Sequence, residues 1–323
     1  MGRIILETKG LKKYYKTGAG TLHALDDVDI RIEAGETLGV VGESGCGKST
    51  LGHSVLRLTE PTSGEVYFDG QDIMKKNRKE MKEIRRKMQI IFQDPYSSLN
   101  PRLMVRDLIA EPLKVNKLCK SEKEIDERVF SIMKTVGLSS RTVNMYPHEL
   151  DGGRRQRIGI ARALILNPEF IVCDEPVSAL DVSIQAQILN LLMDLRDKHG
   201  YSYMFITHDL SVVKHISDKI LVMYMGKSVE YATADELFRE QYHPYTKALM
   251  NAIPEPTLES KHKVFEILKG EVTAPIDPKP GCRFAPRCPY ATEACTGQDI
   301  PFKEVTPGHF VACIRAHSGD FPK

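Results

Sequence analysis

The segment GESGCGKST, Gly42 to Thr50, combines residue types that together can grip a polyphosphate. A phosphate needs several N–H donors converging on it, so the backbone of Gly42, Glu43, Ser44, Gly45, Cys46 and Gly47 must wrap closely; the glycines permit positive φ and an approach that a Cβ would obstruct. Lys48 then brings positive charge to the β and γ phosphates, and Ser49, followed by Thr50, sits where its hydroxyl can ligate Mg²⁺. Further on, FIVCDEP places Asp174 and Glu175 after an apolar run. Asp174 suits the magnesium shell and Glu175 suits activation of an attacking water. Taken alone, an Asp-Glu pair there also reads as a turn or helix start; a phosphate loop upstream tips the reading toward ATP and Mg²⁺ chemistry.

Both groups need a strand that ends where a helix begins. TLGVVG at 37 to 42 is such a strand before KSTLGHSVLRL at 48 to 58, and FIVC at 170 to 173 is another. Alternation of β-branched runs with amphipathic helical patterns predicts an α/β fold with a mainly parallel sheet. Between Ser121 and Gly137, Ile125, Val129, Ile132, Met133 and Val136 recur at helical spacing, and no strand pattern follows until Phe170, so a helical insertion interrupts the sheet. From about Pro254 onward the prolines Pro254, Pro256, Pro275, Pro278, Pro280, Pro286 and Pro289 crowd a segment of little periodicity, read as a small, separate, loop-rich C-terminal module.

The 323 residues, 41% hydrophobic and 27% charged, match a soluble globular protein of about two domains and exclude disordered and collagen-like classes. A formal charge of +2 gives no whole-protein attraction to nucleic acid or anionic lipid. The run Lys75 to Lys87 carries eight Lys/Arg against two Glu; without interleaved aromatics it reads as a solvated face, and no nucleic-acid partner is expected. No stretch approaches the roughly 20 apolar residues of a membrane helix, and the start resembles no secretory signal, so a cytosolic chain is expected.

At ELDGGRRQRIGIARAL, Glu149 to Leu164, the sequence resembles the signature segment of ABC-type ATPases. The remaining motifs of that family follow in order: Tyr15, Gln93 in IIFQDP, Ser178-Ala179-Leu180-Asp181, and His208 in FITHD. QDPYSSLNPR, EPVSALDVSIQAQILNLL, HPYTKAL and GCRFAPRCP are similar to the ATP-binding subunits of bacterial oligopeptide and dipeptide importers. The resemblance implies an ABC-type nucleotide-binding domain over residues 1–253, with a RecA-like parallel sheet, antiparallel β and helical subdomains (the latter at about 95–165), and a Cys-containing module over 254–323. It implies that Tyr15 stacks on adenine, that Gln93 senses nucleotide and Mg²⁺, that His208 positions the γ-phosphate, and that Asp181 belongs to the D-loop. ATP would lie between the P-loop of one subunit and the signature residues Asp151, Gly152 and Gly153 of a second ABC ATPase subunit. Two transmembrane permease subunits and an extracellular or periplasmic peptide-binding protein would complete the importer, with this chain peripheral at the cytoplasmic face of the membrane. Nickel importers share much of the pattern, so a nickel or other small-solute importer is the alternative, as is a regulatory subunit with one degenerate site.

The family usually has Ser where this chain has Asp151, and Gln where it has Arg154. A serine hydroxyl donates to a γ-phosphate oxygen, whereas a carboxylate only accepts and, at about 4 Å and an effective dielectric near 20, repels by about 4 kcal/mol. Asp151 can instead N-cap the signature helix, neutralised by Arg154 or Arg155. If the repulsion acts, one of two ATP sites is weakened, which favours a heterodimer with a serine-bearing partner.

Cys282, Cys288, Cys295 and Cys313 follow C-x5-C-x6-C-x17-C, apart from Cys46, Cys119 and Cys173. Four clustered thiols suggest one metal centre. The spacing lacks paired C-x2-C knuckles, and some peptide-importer relatives carry a [4Fe–4S] cluster, so that cluster is favoured, with Zn²⁺ or unmetallated thiols as alternatives. Cys46 and Cys173 read as small buried residues with no catalytic role.

Overall fold

The computed structural model describes residues 2–252 and 273–319. In chain order the strands are β1 (Ile4–Thr17), β2 (Gly20–Glu33), β3 (Thr37–Val41), β4 (Ser63–Phe68), β5 (Gln71–Asp72), β6 (Met88–Ile91), β7 (Phe170–Asp174), β8 (Ser202–Ile206), β9 (Lys219–Tyr224), β10 (Lys227–Thr233), β11 (Lys303–Thr306) and β12 (His309–Val311). The helices are α1 (Lys48–Val55), α2 (Arg78–Lys87), α3 (Pro95–Ser98), α4 (Val105–Asn116), α5 (Glu122–Thr135), α6 (Gly152–Leu164), α7 (Val182–His199), α8 (Leu210–Ile216), α9 (Ala234–Arg239), α10 (Pro244–Asn251) and α11 (Ile314–His317). They divide between two compact units.

The first unit takes in Leu6–Ile32, Thr37–Met74 and the described residues from Ile206 onward. It holds an antiparallel sheet ordered β2-β1-β4-β5 and a second run of strands ordered β11-β12-β10-β9-β3. In that run β3 and β9 are parallel, with Leu38 opposite Lys219 and Val41 opposite Val222. All five residues of β3 are buried, as expected for a parallel strand covered on both faces. Val41, Val222, Tyr224, Tyr245 and Phe284 share one core with the apolar residues of α8 and α9.

The expected module boundary at Pro254 and Pro256 lies outside the described residues. The rest of the segment does not stand apart: β12 pairs antiparallel with β10, Glu230 opposite Val311 and Tyr231 opposite Phe310, and Phe284 enters the core edge-on to Tyr224. Strands as short as β11 and β12 are below the length at which alternation shows in a sequence, so the pairing was hidden.

The second unit includes Glu33–Glu36 and Lys75–Phe205. Its strands β6 and β7 are parallel, Met88 opposite Phe170 and Ile91 opposite Cys173, with β8 beside β7. Between Ile91 and Phe170 the chain is helical, α3 to α6, in place of further strands. α5 begins where Ser121 accepts from the Glu124 N–H at 3.2 Å and buries Ile125, Val129 and Met133; Gly137 follows its end at φ 70. α2 carries the basic run behind an Asn77/Glu80 capping box. Its cations face solvent, with Arg86 paired to Glu83 and Lys87 to Glu169 at 2.8 Å, the solvated face expected. Among the described residues no helix is long and apolar enough to cross a membrane.

Candidate functional site

The phosphate loop leaves β3 and enters α1. Gly42 lies at φ 147, where a Cβ would stand 2.2 Å from the Met223 carbonyl oxygen, and Gly47 at φ 107, where one would stand 2.3 Å from the Ala24 carbonyl oxygen. These two glycines are therefore obligatory on steric grounds as well as conformational ones. Gly47 is the N-cap of α1 and supplies no side-chain acceptor, so the first-turn N–H groups point out of the helix toward the loop. Lys48 is 5% exposed, and its ammonium donates to the carbonyls of Gly42 at 2.8 Å and Glu43 at 3.0 Å. Those bonds hold the loop closed around the place where the lysine would meet phosphate.

Cys46 is 1% exposed, and burial raises its thiol pKa; the same holds for Cys173, fully buried in β7. Both stay protonated, as befits core residues. Tyr15 is on the surface of β1 with the Lys13 ammonium 4.7 Å from its ring centre. His208 is exposed between β8 and α8, and Asp209 after it caps α8 by accepting from the Ser211 N–H at 2.8 Å.

In the second unit Asp174 ends β7 and is 6% exposed. Glu175 follows at φ 46, a left-handed conformation that costs a non-glycine residue about 1 to 3 kcal/mol. Its carboxylate accepts from the Gln93 side-chain amide at 2.9 Å, so the expected sensor and the expected base touch directly. The segment expected to be the D-loop is shaped from behind by Gln185, whose amide donates to the carbonyls of Val177 at 3.0 Å and Leu180 at 3.1 Å. Asp181 caps α7, accepting from the Ile184 N–H at 3.0 Å and the Ser183 hydroxyl at 2.8 Å; the backbone hydrogen bond holds its pKa below the usual carboxylate range.

Asp151 N-caps α6, accepting from the Arg154 N–H at 2.8 Å. Of the two candidate neutralising residues it is Arg154 that approaches, Nε to carboxylate 3.5 Å, with both side chains more than half exposed. Arg155 turns inward, donating to the carbonyls of Pro147 at 2.7 Å and Leu150 and stacking 3.6 Å from the Tyr96 ring centre. Gly153 is glycine for a local reason as well: a Cβ there would stand 2.7 Å from Ile184 of α7.

The four clustered cysteines line one narrow cavity of about 20 Å³. That is room for about one water-sized species. Burial pushes the Cys282 thiol up to about 11 and raises Cys288 and Cys313, with the neighbouring thiols adding to the effect. Among the described residues no three His, Cys, Asp or Glu side chains stand in a metal-holding arrangement. The favoured [4Fe–4S] cluster and its Zn²⁺ alternative are thus not supported by the geometry: the thiols converge, but around a space smaller than a four-iron cluster.

Sequence reasoning missed what ties this pocket to the phosphate loop. Arg287 grips the Glu43 carboxylate through two hydrogen bonds of 2.8 and 3.1 Å, and the Tyr245 hydroxyl accepts from the Glu43 N–H at 2.9 Å. Both residues lie within strings that resemble the peptide importers, HPYTKAL and GCRFAPRCP, which was the available cue.

Residues 25–178 match the family model described as ABC transporter, and residues 229–295 match the one described as oligopeptide/dipeptide transporter, C-terminal region. The chain belongs to the ATP-binding subunits of ABC transporters, a family of ATPases. It is 51% identical to the oligopeptide transport ATP-binding protein OppF of Bacillus subtilis, over 97% of both chains. It is 50% identical to OppF of Haemophilus influenzae, over 97% of this chain and 94% of that one. Among solved structures it is similar to the dimeric, post-hydrolysis ATP-binding cassette MJ0796 bound to ADP and Pi, with TM-score 0.66, 32% identity, and coverage of 71% of this chain and 99% of the other.

Proposed function

We propose that this chain is the ATP-hydrolysing subunit of an importer of oligopeptides or dipeptides. What carries the reading is near-full-length identity of about half to oligopeptide transport ATP-binding proteins, together with a phosphate loop whose glycines, Lys48 and α1 N-terminus are arranged for a polyphosphate. The nickel alternative has less support, because the C-terminal match is to the oligopeptide/dipeptide class. In this reading Gly42 to Thr50 hold the ATP phosphates, Ser49, Gln93 and Asp174 serve Mg²⁺, Tyr15 packs on adenine, Glu175 activates water and His208 positions the γ-phosphate. The Gln93–Glu175 hydrogen bond keeps the base in hand until nucleotide and Mg²⁺ engage Gln93.

The signature residues Asp151 to Gly153 of this chain complete the ATP site of a second ATPase subunit, whose own signature segment completes the site here. The arrangement of Asp151 supports a heterodimer: one carboxylate oxygen is spent on the cap and the other faces Arg154, leaving no hydroxyl donor for a γ-phosphate. The chain sits peripherally at the inner face of the membrane, beneath two permease subunits fed by a peptide-binding protein. An open groove of about 600 Å³ lined by Phe92, Ser97, Glu111 and Val115 is the surface we assign to the permeases. The four clustered thiols in the C-terminal region are the place to test for a metal: iron, acid-labile sulfide and zinc are measured on protein purified without oxygen, and metal-free protein would end that reading.

The catalytic reading is tested by steady-state Mg-ATP hydrolysis with the cognate permeases and partner ATPase present. Glu175→Gln should lower turnover at least about 100-fold, the scale of a general base, with ATP binding retained. Equal turnover before and after the change would refute it.

A further inference from the structure

Glu43, the second residue of the phosphate loop, is held at three points by the unit it belongs to. Its N–H donates to Tyr245, its carbonyl accepts from Lys48, and its carboxylate is gripped by Arg287. The ion pair is sheltered, with side-chain exposures of 9% for Arg287 and 26% for Glu43, and the guanidinium also donates to the Tyr224 hydroxyl at 3.3 Å. Arg287 sits on a single 3₁₀ turn, Ala285–Arg287, that spans Cys282 and Cys288. The turn is closed by Ala285 N–H on the Cys282 carbonyl at 3.0 Å, and its neighbour Phe284 is buried in the core. A shift of either cysteine therefore moves the guanidinium.

A second arginine repeats the pattern at Asp26. Arg283, next to Cys282, pairs with Asp26, which also accepts from the Tyr14 hydroxyl at 2.5 Å, one residue from Tyr15. Of two arginines adjoining two of the four pocket cysteines, Arg287 thus reaches the phosphate loop and Arg283 reaches Asp26 of β2, which in turn holds Tyr14 of β1.

From this geometry we infer that Arg287 is a positioning residue of the nucleotide site, fixing and neutralising Glu43 so that the fold of the four-cysteine pocket sets the affinity for ATP. The inference rests on the ATP-binding reading above. A loop that must accept a polyphosphate carries a carboxylate at its second position, and an unpaired anion there repels the ligand. A bidentate guanidinium cancels that charge and orients the backbone that carries it. By reciprocity, bound ATP must hold the pocket together in return.

The experiment titrates a fluorescent ATP analogue into the intact chain with Mg²⁺. Arg287→Gln should raise Kd about tenfold, the scale of one uncompensated charge near a phosphate, and Arg287→Lys, which keeps charge without the fork, less than that. Adding Glu43→Gln to Arg287→Gln should recover most of the lost affinity, which a purely structural role for the arginine would not allow. In the unmodified protein, Mg-ATP should slow labelling of the pocket thiols by an aromatic disulfide reagent severalfold, a readout that stands even if a variant folds poorly. A Kd unchanged by Arg287→Gln, a loss that Glu43→Gln leaves in place, or thiol labelling indifferent to ATP would each overturn the inference. Absence of ATP binding by the unmodified chain would instead refute the parent reading and this one with it.

Discussion

Acidification should loosen the chain through one residue, His243. It is 1% exposed, its Nδ1 accepts from the Tyr245 N–H at 3.1 Å as the N-cap of α10, and its own N–H donates to Glu230 at 3.0 Å. Burial pulls the imidazole pKa from 6.5 down to about 3, so the ring is neutral in the folded state, as its acceptor role requires. Because the folded pKa lies below the unfolded one, the unfolded chain binds more protons between them and stability rises with pH across that window. The contribution is complete above about pH 6.5 and is lost as pH falls toward 3. At pH 5 the loss is about 2 kcal/mol, at 1.36 kcal/mol per unit. His243→Asn keeps a capping oxygen and removes the titration. Urea unfolding, followed by tyrosine fluorescence since the chain lacks tryptophan, should show the unmodified protein losing about 2 kcal/mol more than the variant between pH 7 and pH 5. Equal losses in the two would refute the reasoning.

Asp151→Ser preserves a capping oxygen and gives up only an exposed ion pair, so stability should change by less than about 1 kcal/mol; ATP turnover by the chain alone should rise, and strong turnover that the change leaves unaltered would end the heterodimer argument. Gly47→Ala forces a Cβ to 2.3 Å from the Ala24 carbonyl at φ 107, at a cost of about 2 kcal/mol or more, and should abolish ATP binding in the same titration used for Arg287. His309→Ala removes from the fully buried Glu230 a 2.8 Å partner, leaving the N–H groups of Tyr242 and His243. The urea midpoint should report a loss of about 3 kcal/mol, and a change under about 1 kcal/mol would mean that the pair does not anchor β12 to β10.

What could be read in advance is what local spacing dictates. The phosphate loop is legible because its glycines answer to steric demands within a few residues, and α5 because Ile125, Val129 and Met133 repeat at the helical period. Its start is also marked by Ser121. α1 was expected to run to Leu58 but stops at Val55, since Arg57 takes a left-handed φ of 48 that no residue letter announces. Glu175 and Gln93 were each placed in the machinery, yet their hydrogen bond depends on how the end of β7 meets the segment after β6. The attachment of β12 to β10 rests on a register and a buried Glu230–His309 pair, both set by tertiary packing.

The same limit explains why the arginines beside the cysteines leave no signal in the sequence. A loop bound only by its own glycines would pay conformational entropy each time a nucleotide ordered it, whereas one held in advance keeps that free energy for affinity. Here the holding groups are Tyr245 and Arg287, about 200 and 240 residues downstream. Pairs that distant leave no periodicity. They become visible only when the sheet carries β9 and β10 past β3 and brings the C-terminal segment onto the same core through Tyr224 and Phe284. The cysteine-bearing segment therefore belongs to the nucleotide-binding unit physically, and a defect in its folding should register first as weakened ATP binding.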